Sequence, residues 1–264
     1  MKLRQWTLWC AAALSVALFG VGCDNGLSAI PQMEEREVAA IFTARDADAF
    51  RALFKEGLGR QEQFQGQALS VWCVRANWPE GLDILSGADY DINTVNATTN
   101  PAYHPGFAAL HQAILIDETM NGRLNREAMV RKLLDLGADP DQTCPYDNAG
   151  MRIDHATPLM CILLFSESRS LDAHEENVRI CNRLLKEDAD VSATSKRTLN
   201  GREEQVSALS LAVLYGNTDL CRLLIEAGAD PTQDLGNGTT PLSLAEDKGN
   251  TYLARILRGE EVKR

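Results

Sequence analysis

The sequence predicts an all-α fold, a solenoid of about six helix–turn–helix units with lengthened loops between them. Leu242 follows Leu209 by 33 residues, and the two leucines lie in matching stretches, 208–212 and 241–245. Each stretch is followed by a second apolar stretch with a Leu-Leu or Ile-Leu pair. A period of this length is typical of stacked repeats, in which one unit cannot bury its apolar face alone.

Earlier copies contain the same parts in the same order. A half-unit at 38–57 opens the array, and first helices are predicted around Leu69, Leu110 and Leu159. The second helices end in an Ala-Asp turn that follows Gly or Asp, at 87–89, 137–139, 188–190 and 228–230. We therefore predict one repeat domain over residues 34–260.

Local chemistry explains the shared residues of each copy. Thr-Pro at 157–158 and at 240–241 places a capping hydroxyl before a proline at the first helical position, where an N–H would have no helical partner. Gly216 and Gly249 are expected to end the first helix with a positive φ. The leucine pairs form the apolar stripe of the second helix.

These residues resemble those of the ankyrin repeat, with its Thr-Pro-Leu opening, Gly-Asn turn and Gly-Ala-Asp ending. His111 occupies the place of the histidine in that opening motif, so a structural role is expected for it. The resemblance implies a domain that binds proteins, with no catalytic residues, metal or cofactor.

Three of the loops that project between repeats, called fingers below, are longer than the standard one. The interval from the turn alanine to the next helix leucine is 13 residues from Ala229 but 22, 21 and 20 from Ala88, Ala138 and Ala189. Long loops are usually functional or disordered. We expect partner contact here, with tolerated insertion as the alternative, and we expect the polar stretch 192–205 to be flexible and solvated.

Candidate contact residues are the aromatic and cationic side chains of these fingers, because such residues dominate the binding energy of interfaces. They are Tyr90, Tyr103, His104, Tyr146, Arg152 and Arg197. If the tyrosines pack on their own loops instead, the contact would move to the concave faces of the helices.

The first residues have the pattern of an export signal. Lys2 and Arg4 precede an apolar run that is too short for a comfortable membrane span, which needs roughly 20 apolar residues. Gly-Val-Gly-Cys at 20–23 resembles the lipobox of bacterial lipoproteins, although Gly20 stands where that family usually has leucine.

This resemblance implies an anchored, exported protein. We predict a signal peptide over 1–22, lipidation of Cys23 and a tether over 23–33. The expected location is the periplasmic face of a bacterial membrane, with Asp24 favouring the inner membrane.

Charge limits the classes of partner. The chain has 26 basic and 37 acidic side chains and a net charge of −11, which argues against nucleic acid and against electrostatic binding to an anionic bilayer. A basic protein partner fits this charge. Motifs for nucleophilic, phosphate or metal chemistry are missing from the sequence, so we expect no catalysis, metal, cofactor or small-molecule substrate.

Five of the seven cysteines lie beyond the lipidation site, and export would place them in an oxidising compartment. Cys181 and Cys221 occupy matching places in successive copies, whose helices are expected to lie too far apart for a disulfide. Cys144, at the base of a finger, is the candidate bridging residue, with Cys161 or Cys181 as its partner.

Three functions remain open from the sequence. The first is an inhibitor, similar to immunity proteins, that occludes a secreted antibacterial effector such as a phospholipase or another toxic hydrolase. The second is a periplasmic scaffold for an envelope or stress-defence enzyme. The third, an enzyme with a site in the fingers, is disfavoured by the missing motifs.

Overall fold

The structure, a computed structural model, describes residues 35–56, 63–100, 104–116, 118–119, 121–148, 150–165, 171–236 and 238–260. The predicted signal peptide and tether, with Cys23, and the candidate contact residue Tyr103 lie outside these ranges. The chain divides into two compact units, one ending at Ala138 and one beginning at Asp139. Each is described by itself.

The N-terminal unit consists of paired helices and two short hairpins. Helices α3 and α5 pack side by side, while α2, α4 and α6 form a second layer. In chain order the elements are α1 (Glu35–Ala44), α2 (Ala47–Glu56), β1 (Gln63–Phe64), β2 (Gln67–Ala68), α3 (Leu69–Arg75), α4 (Pro79–Ser86), α5 (Ala109–Leu115), β3 (Glu118–Thr119), β4 (Gly122–Arg123) and α6 (Arg126–Asp135).

Aromatic rings join the opening half-unit to the repeat that follows it. Phe42 of α1 lies 5.1 Å from Phe50 of α2 and 5.4 Å from Trp72 of α3, measured between ring centroids. Phe50 lies 5.2 Å from Trp78, which precedes α4. All four rings are buried, and large buried rings contribute both area and ring–ring attraction.

The C-terminal unit repeats the same arrangement with longer fingers. Helices α7, α9 and α11 form one layer, and α8, α10 and α12 form the other. The elements are β5 (Cys144–Asn148), β6 (Met151–Ala156), α7 (Pro158–Phe165), α8 (Leu171–Lys186), β7 (Thr194–Leu199), β8 (Arg202–Ser207), α9 (Ala208–Leu214), α10 (Thr218–Glu226), α11 (Pro241–Asp247) and α12 (Thr251–Leu257).

Two fingers of this unit combine into one antiparallel sheet in the order β5-β6-β7-β8, called the finger sheet below. Each finger is a hairpin, and the two hairpins meet where Met151 pairs with Leu199 and Ile153 with Arg197. The second hairpin turns at Asn200 and Gly201, whose φ values of 51° and 79° are those of a type I′ turn.

The repeat pattern and its helices are confirmed, but the expectation of an all-α fold was wrong. The stretch 192–205, predicted to be flexible, contains β7 and most of β8. The polar composition of these strands concealed their pairing, because their neighbours come from another finger and not from a local apolar pattern. The continuous solenoid stays a prediction.

Several local predictions are confirmed. Thr157 and Thr240 accept hydrogen bonds from the backbone N–H groups of Met160 (3.3 Å) and Ser243 (3.0 Å). Gly216 and Gly249 end their helices with φ values of 69° and 67°. These residues set where the short first helices begin and end.

The longer connections between helices also acquire structure. The connection after α5 contains the β3–β4 hairpin, and the connection after α7 leads into α8, a helix of 16 residues. None of the helices in the described ranges is long and apolar enough to cross a membrane.

Candidate functional site

The finger sheet has two faces of different character. Pleating places alternate side chains of a strand on opposite faces, and directly paired residues share a face. Tyr146, Ile153 and Arg197 therefore lie on one face, and these side chains are buried. The opposite face is exposed to solvent and is called the charged face below.

Charged side chains surround a groove of about 430 Å³ on the charged face. The groove is lined by Asp147, Gly150, Arg152, Asp154, Lys196, Thr198 and Glu203. Three of the four strands contribute to one chain of ion pairs there. Asp154 binds Arg152 Nε at 3.0 Å and Lys196 Nζ at 3.6 Å, and Lys196 Nζ binds Glu203 Oε1 at 3.1 Å.

Lys196 lies at the centre of this chain of ion pairs. Its hydrogen bond to Glu203, together with the charges of Glu203 and Asp154, raises the pKa of Lys196 above its ordinary value. The ammonium group therefore stays charged at neutral pH. Exposed ion pairs of this kind add little to stability, so the charged face is better suited to orient a charged partner than to hold the fold together.

The buried face contains the second cation of the sheet. Arg197 is 6% exposed, and its guanidinium donates to Glu204 Oε1 through Nε at 2.6 Å and through Nη2. A buried charge needs a hydrogen-bonded counter-ion. Arg197 therefore fixes β7 against β8, and its side chain offers little surface to a partner.

Tyr146 is buried on the same face, with 7% of its area exposed. Its hydroxyl accepts a hydrogen bond from Asn148 Nδ2 at 3.2 Å. Of the candidate contact residues of this unit, only Arg152 presents its side chain to solvent, with 62% of that side chain exposed.

The two candidates of the N-terminal unit that the structure describes, Tyr90 and His104, are held by contacts within that unit. The Tyr90 hydroxyl accepts from the Leu69 N–H at 3.0 Å, and burial raises the pKa of Tyr90. The ring of His104 stacks on Phe107 with centroids 4.9 Å apart. Burial, with a smaller effect of the Arg75 charge, lowers the pKa of His104 to about 4, so the imidazole is neutral at pH 7.

Sequence reasoning missed Asp147, Asp154, Lys196 and Glu203, because it gave weight to aromatic residues and to arginine. A usable signal was present. The Asn-Gly dipeptide at 200–201, between two stretches of β-compatible residues, is a strong indication of a two-residue hairpin. Placing the hairpin would have put Lys196 and Glu203 on one face.

The structure brings two of the three candidate disulfide cysteines together. The Sγ atoms of Cys144, on β5, and Cys161, on α7, lie 3.9 Å apart, and both thiols are buried. Cys181 is also a buried thiol, and burial raises its pKa to about 12. A disulfide between Cys144 and Cys161 stays a prediction.

The described residues show no group of three or more His, Cys, Asp or Glu side chains arranged to hold a metal ion. The acidic groups of the charged face are instead arranged around Arg152 and Lys196. This arrangement fits the recognition of a charged surface.

Comparison with known proteins identifies the repeats of the C-terminal part. A model of ankyrin repeats in three copies matches residues 170–264, a range that includes α8 to α12 and the second hairpin of the finger sheet. Ankyrin repeats imply a protein-binding role and are typically non-catalytic.

Two relatives resemble the chain over different lengths. Transcription factor TOXE of Cochliobolus carbonum is 25% identical over 287 residues, which cover 90% of this chain and 60% of that protein. Potassium channel AKT1 of Oryza sativa subsp. indica is 31% identical over 87 residues, which cover 33% of this chain and 9% of the channel. The chain therefore spans only part of both relatives.

Proposed function

We propose that the chain binds a partner protein through the charged face of the finger sheet and acts there as an inhibitor. The observation that carries the proposal is the joining of two lengthened fingers into one four-stranded sheet whose outer face is charged and exposed. Tolerated insertions have no need to pair with each other. A shared sheet is a single surface that two repeats build together.

Contacts on the buried face and at the tip of the first hairpin keep the finger sheet ordered, and an ordered surface favours binding. The buried face is closed by Ile153 and by the pair of Arg197 and Glu204, and the His155 N–H donates to Ser195 Oγ across the two hairpins at 3.0 Å. At the tip of the first hairpin, the Tyr215 hydroxyl lies 3.6 Å from Met151 Sδ. A surface that is ordered before contact loses less entropy when it binds.

The net charge of the chain indicates what kind of partner the charged face would bind. The chain carries a net charge of −11, and such a charge accelerates the encounter with a basic partner. We propose that the partner is a basic secreted effector, such as a phospholipase or another hydrolase, whose active site the finger sheet would cover.

The location belongs to the same proposal. A lipid on Cys23 would hold the repeats at the periplasmic face of a bacterial membrane, and Asp24 favours the inner one. Expression of the full-length chain in a bacterium fed labelled palmitate is expected to label the protein, and Cys23→Ser is expected to abolish the label. Equal labelling of the unaltered chain and the Cys23→Ser variant would contradict lipidation of Cys23.

The binding proposal is tested by capture of partners with the full-length chain and two aspartate variants. Asp147→Asn removes an exposed negative charge of the charged face, while Asp247→Asn removes an exposed negative charge at the end of α11. Asp147→Asn is expected to weaken capture of a basic partner roughly two- to ten-fold, the range of a modest interface residue. Asp247→Asn makes the same change in net charge and should leave capture unchanged.

The identity of the captured protein separates inhibitor from scaffold. One stoichiometric hydrolase whose activity falls when the chain is added supports the inhibitor. Several weakly held envelope proteins would favour the scaffold. Equal effects of the two aspartate variants would contradict binding through the charged face.

A further inference from the structure

The outer edge of the finger sheet is open. Strand β8 pairs with β7 along its whole length, and in the described part of the chain no strand pairs with its other edge. Four consecutive residues of β8, 202–205, are exposed, whereas exposure in most of β7 alternates along the strand. The finger that follows β8 has the standard length, and its described residues form no strand.

Hairpin geometry decides which backbone groups point outward from this edge. In a hairpin with a two-residue turn, the residues that flank the turn are hydrogen-bonded to each other, and hydrogen-bonded pairs then alternate along the strands. Arg202 and Glu204 therefore bond to β7, while the N–H and C=O groups of Glu203 and Gln205 point away from it. The Ser207 N–H fits this alternation, since it donates to Ser210 Oγ at 2.8 Å.

The two edges of the sheet differ in their ability to accept a strand. On the edge strand β5, Pro145 removes a backbone donor, and proline is a common guard of sheet edges. The register shift between Cys144 and Tyr146 further distorts that strand. Strand β8 contains no proline, and its pairing with β7 is regular from Thr194–Ser207 to Leu199–Arg202.

We propose that β8 accepts an extended, basic segment of a partner protein as a fifth strand of the finger sheet. Strand addition uses backbone hydrogen bonds for affinity and alternate side chains for specificity. Here the specificity would come from Glu203, whose side chain lies on the charged face, and from Glu204, whose side chain lies on the opposite face of the sheet. This inference rests on the proposed protein-binding function and names the edge and the partner chemistry that would serve it.

A second copy of the chain is a poor occupant of this edge. If two β8 strands paired about a two-fold axis perpendicular to the sheet, one residue would lie directly opposite its own copy. If that residue were Arg202, Glu203 or Glu204, like charges would face each other, which is destabilising. If it were Gln205, the pairing would extend to Ser207, which is buried and whose N–H already donates to Ser210 Oγ.

A basic strand satisfies the same positions. A lysine opposite Glu203 would extend the chain of ion pairs that runs through Lys196 and Asp154. In an antiparallel arrangement the residue opposite Glu203 also directs its own N–H and C=O toward β8. The lysines of an alternating Lys-Val segment would therefore supply both the charge and the backbone groups.

The test uses the full-length chain and a seven-residue peptide of alternating lysine and valine with blocked ends. One control peptide is N-methylated at its lysines, and the other at its valines, so that charge and side chains are the same in both. Binding is followed by fluorescence anisotropy at fixed salt concentration. The valine-methylated peptide is expected to bind like the unmethylated peptide. The lysine-methylated peptide is expected to bind at least about ten-fold more weakly, because the backbone donors that it directs toward β8 are lost.

Two further readouts locate the site. Peptide binding is expected to slow hydrogen exchange of the Glu203 and Gln205 amides and to leave Arg202 and Glu204 unchanged. Glu203→Gln is expected to weaken binding about two- to five-fold, as for an exposed ion pair. Glu226→Gln, at an exposed residue of α10, is the matched control and should have no effect.

Each contrary outcome has a distinct meaning. Equal binding of the two methylated peptides would show attraction by charge alone and would overturn strand addition. Unchanged exchange at Glu203 and Gln205 would overturn it as well, and dimerisation through β8 would assign the edge to a second copy. If Asp147→Asn still weakens partner capture in any of these cases, the proposed function stands and the edge inference alone fails.

Discussion

At the residue scale, burial separates structural side chains from those available for contact. Arg197 and Arg152 lie on neighbouring strands, yet the first is 6% exposed and paired with Glu204 while the side chain of the second is 62% exposed. The sequence could not separate them, since both are arginines in lengthened fingers. The difference depends on which face of the sheet each residue occupies, and that depends on register.

A second residue-scale constraint lies in the N-terminal unit, at Gly81 of α4. A Cβ atom at this position would lie 2.7 Å from Trp78 Cε3 and 2.8 Å from Cys73 Sγ. Trp78 belongs to the buried aromatic cluster with Phe42 and Phe50, so the ring has little freedom to move. The helix therefore approaches its neighbours as closely as it does because Gly81 has no side chain.

Gly81→Ala is expected to destabilise the protein despite the better helix propensity of alanine. Propensity contributes at most about 1 kcal/mol in favour of alanine, while overpacking typically costs about 1–3 kcal/mol. A net loss of about 1–2 kcal/mol in the free energy of unfolding is expected from urea denaturation. The control is Gly87→Ala at the end of the same helix, where the nearest atom to a Cβ is Asp83 O at 3.3 Å; an equal loss there would contradict the steric explanation.

At the element scale, side-chain caps determine where the first helices of the C-terminal unit begin. Ser207 accepts from the Ser210 N–H at 3.2 Å, and Thr240 accepts from the Ser243 N–H at 3.0 Å. Ser207 is also the last residue of β8, so one residue ends a finger and caps the helix that follows. The sheet is thereby fixed to the helix layer.

The Asn200–Gly201 turn is expected to control the second hairpin. Gly201 has a φ of 79°, and a Cβ there would meet nothing within 4 Å, so any effect of Gly201→Ala comes from backbone strain alone. That strain is roughly 1–2 kcal/mol for an L-residue with a positive φ. We expect faster amide exchange in β7 and β8, measured by hydrogen–deuterium exchange.

Asn200→Gly is the matched control for this turn. It removes a side chain but keeps a residue that tolerates the φ of 51° observed at this position. Exchange in β7 and β8 should then stay close to that of the unaltered chain. If Gly201→Ala leaves exchange in β7 and β8 unchanged, the backbone conformation of the turn does not control the hairpin; if Asn200→Gly loosens the hairpin as well, the Asn200 side chain also contributes.

At the scale of the whole molecule, the sequence determined the repeats. Their period, their Thr-Pro openings and their Ala-Asp endings are local patterns in which each residue has one physical task, so the helices of both units could be placed in advance. The matched range of 170–264 agrees with this reading of the C-terminal repeats. The net charge and the lengthened fingers were also visible in the sequence.

Only the tertiary structure decided what the lengthened fingers form. Strand β6 comes from one finger and β7 from the next. Met151 and its partner Leu199 are 48 positions apart in the sequence (199 − 151), and Ile153 and Arg197 are 44 apart (197 − 153). The polar residues of 194–207 give no apolar alternation, because one face of the sheet is charged and exposed. Pairing across such a distance in sequence depends on how repeats stack, and stacking determined which residues became a surface and which became core.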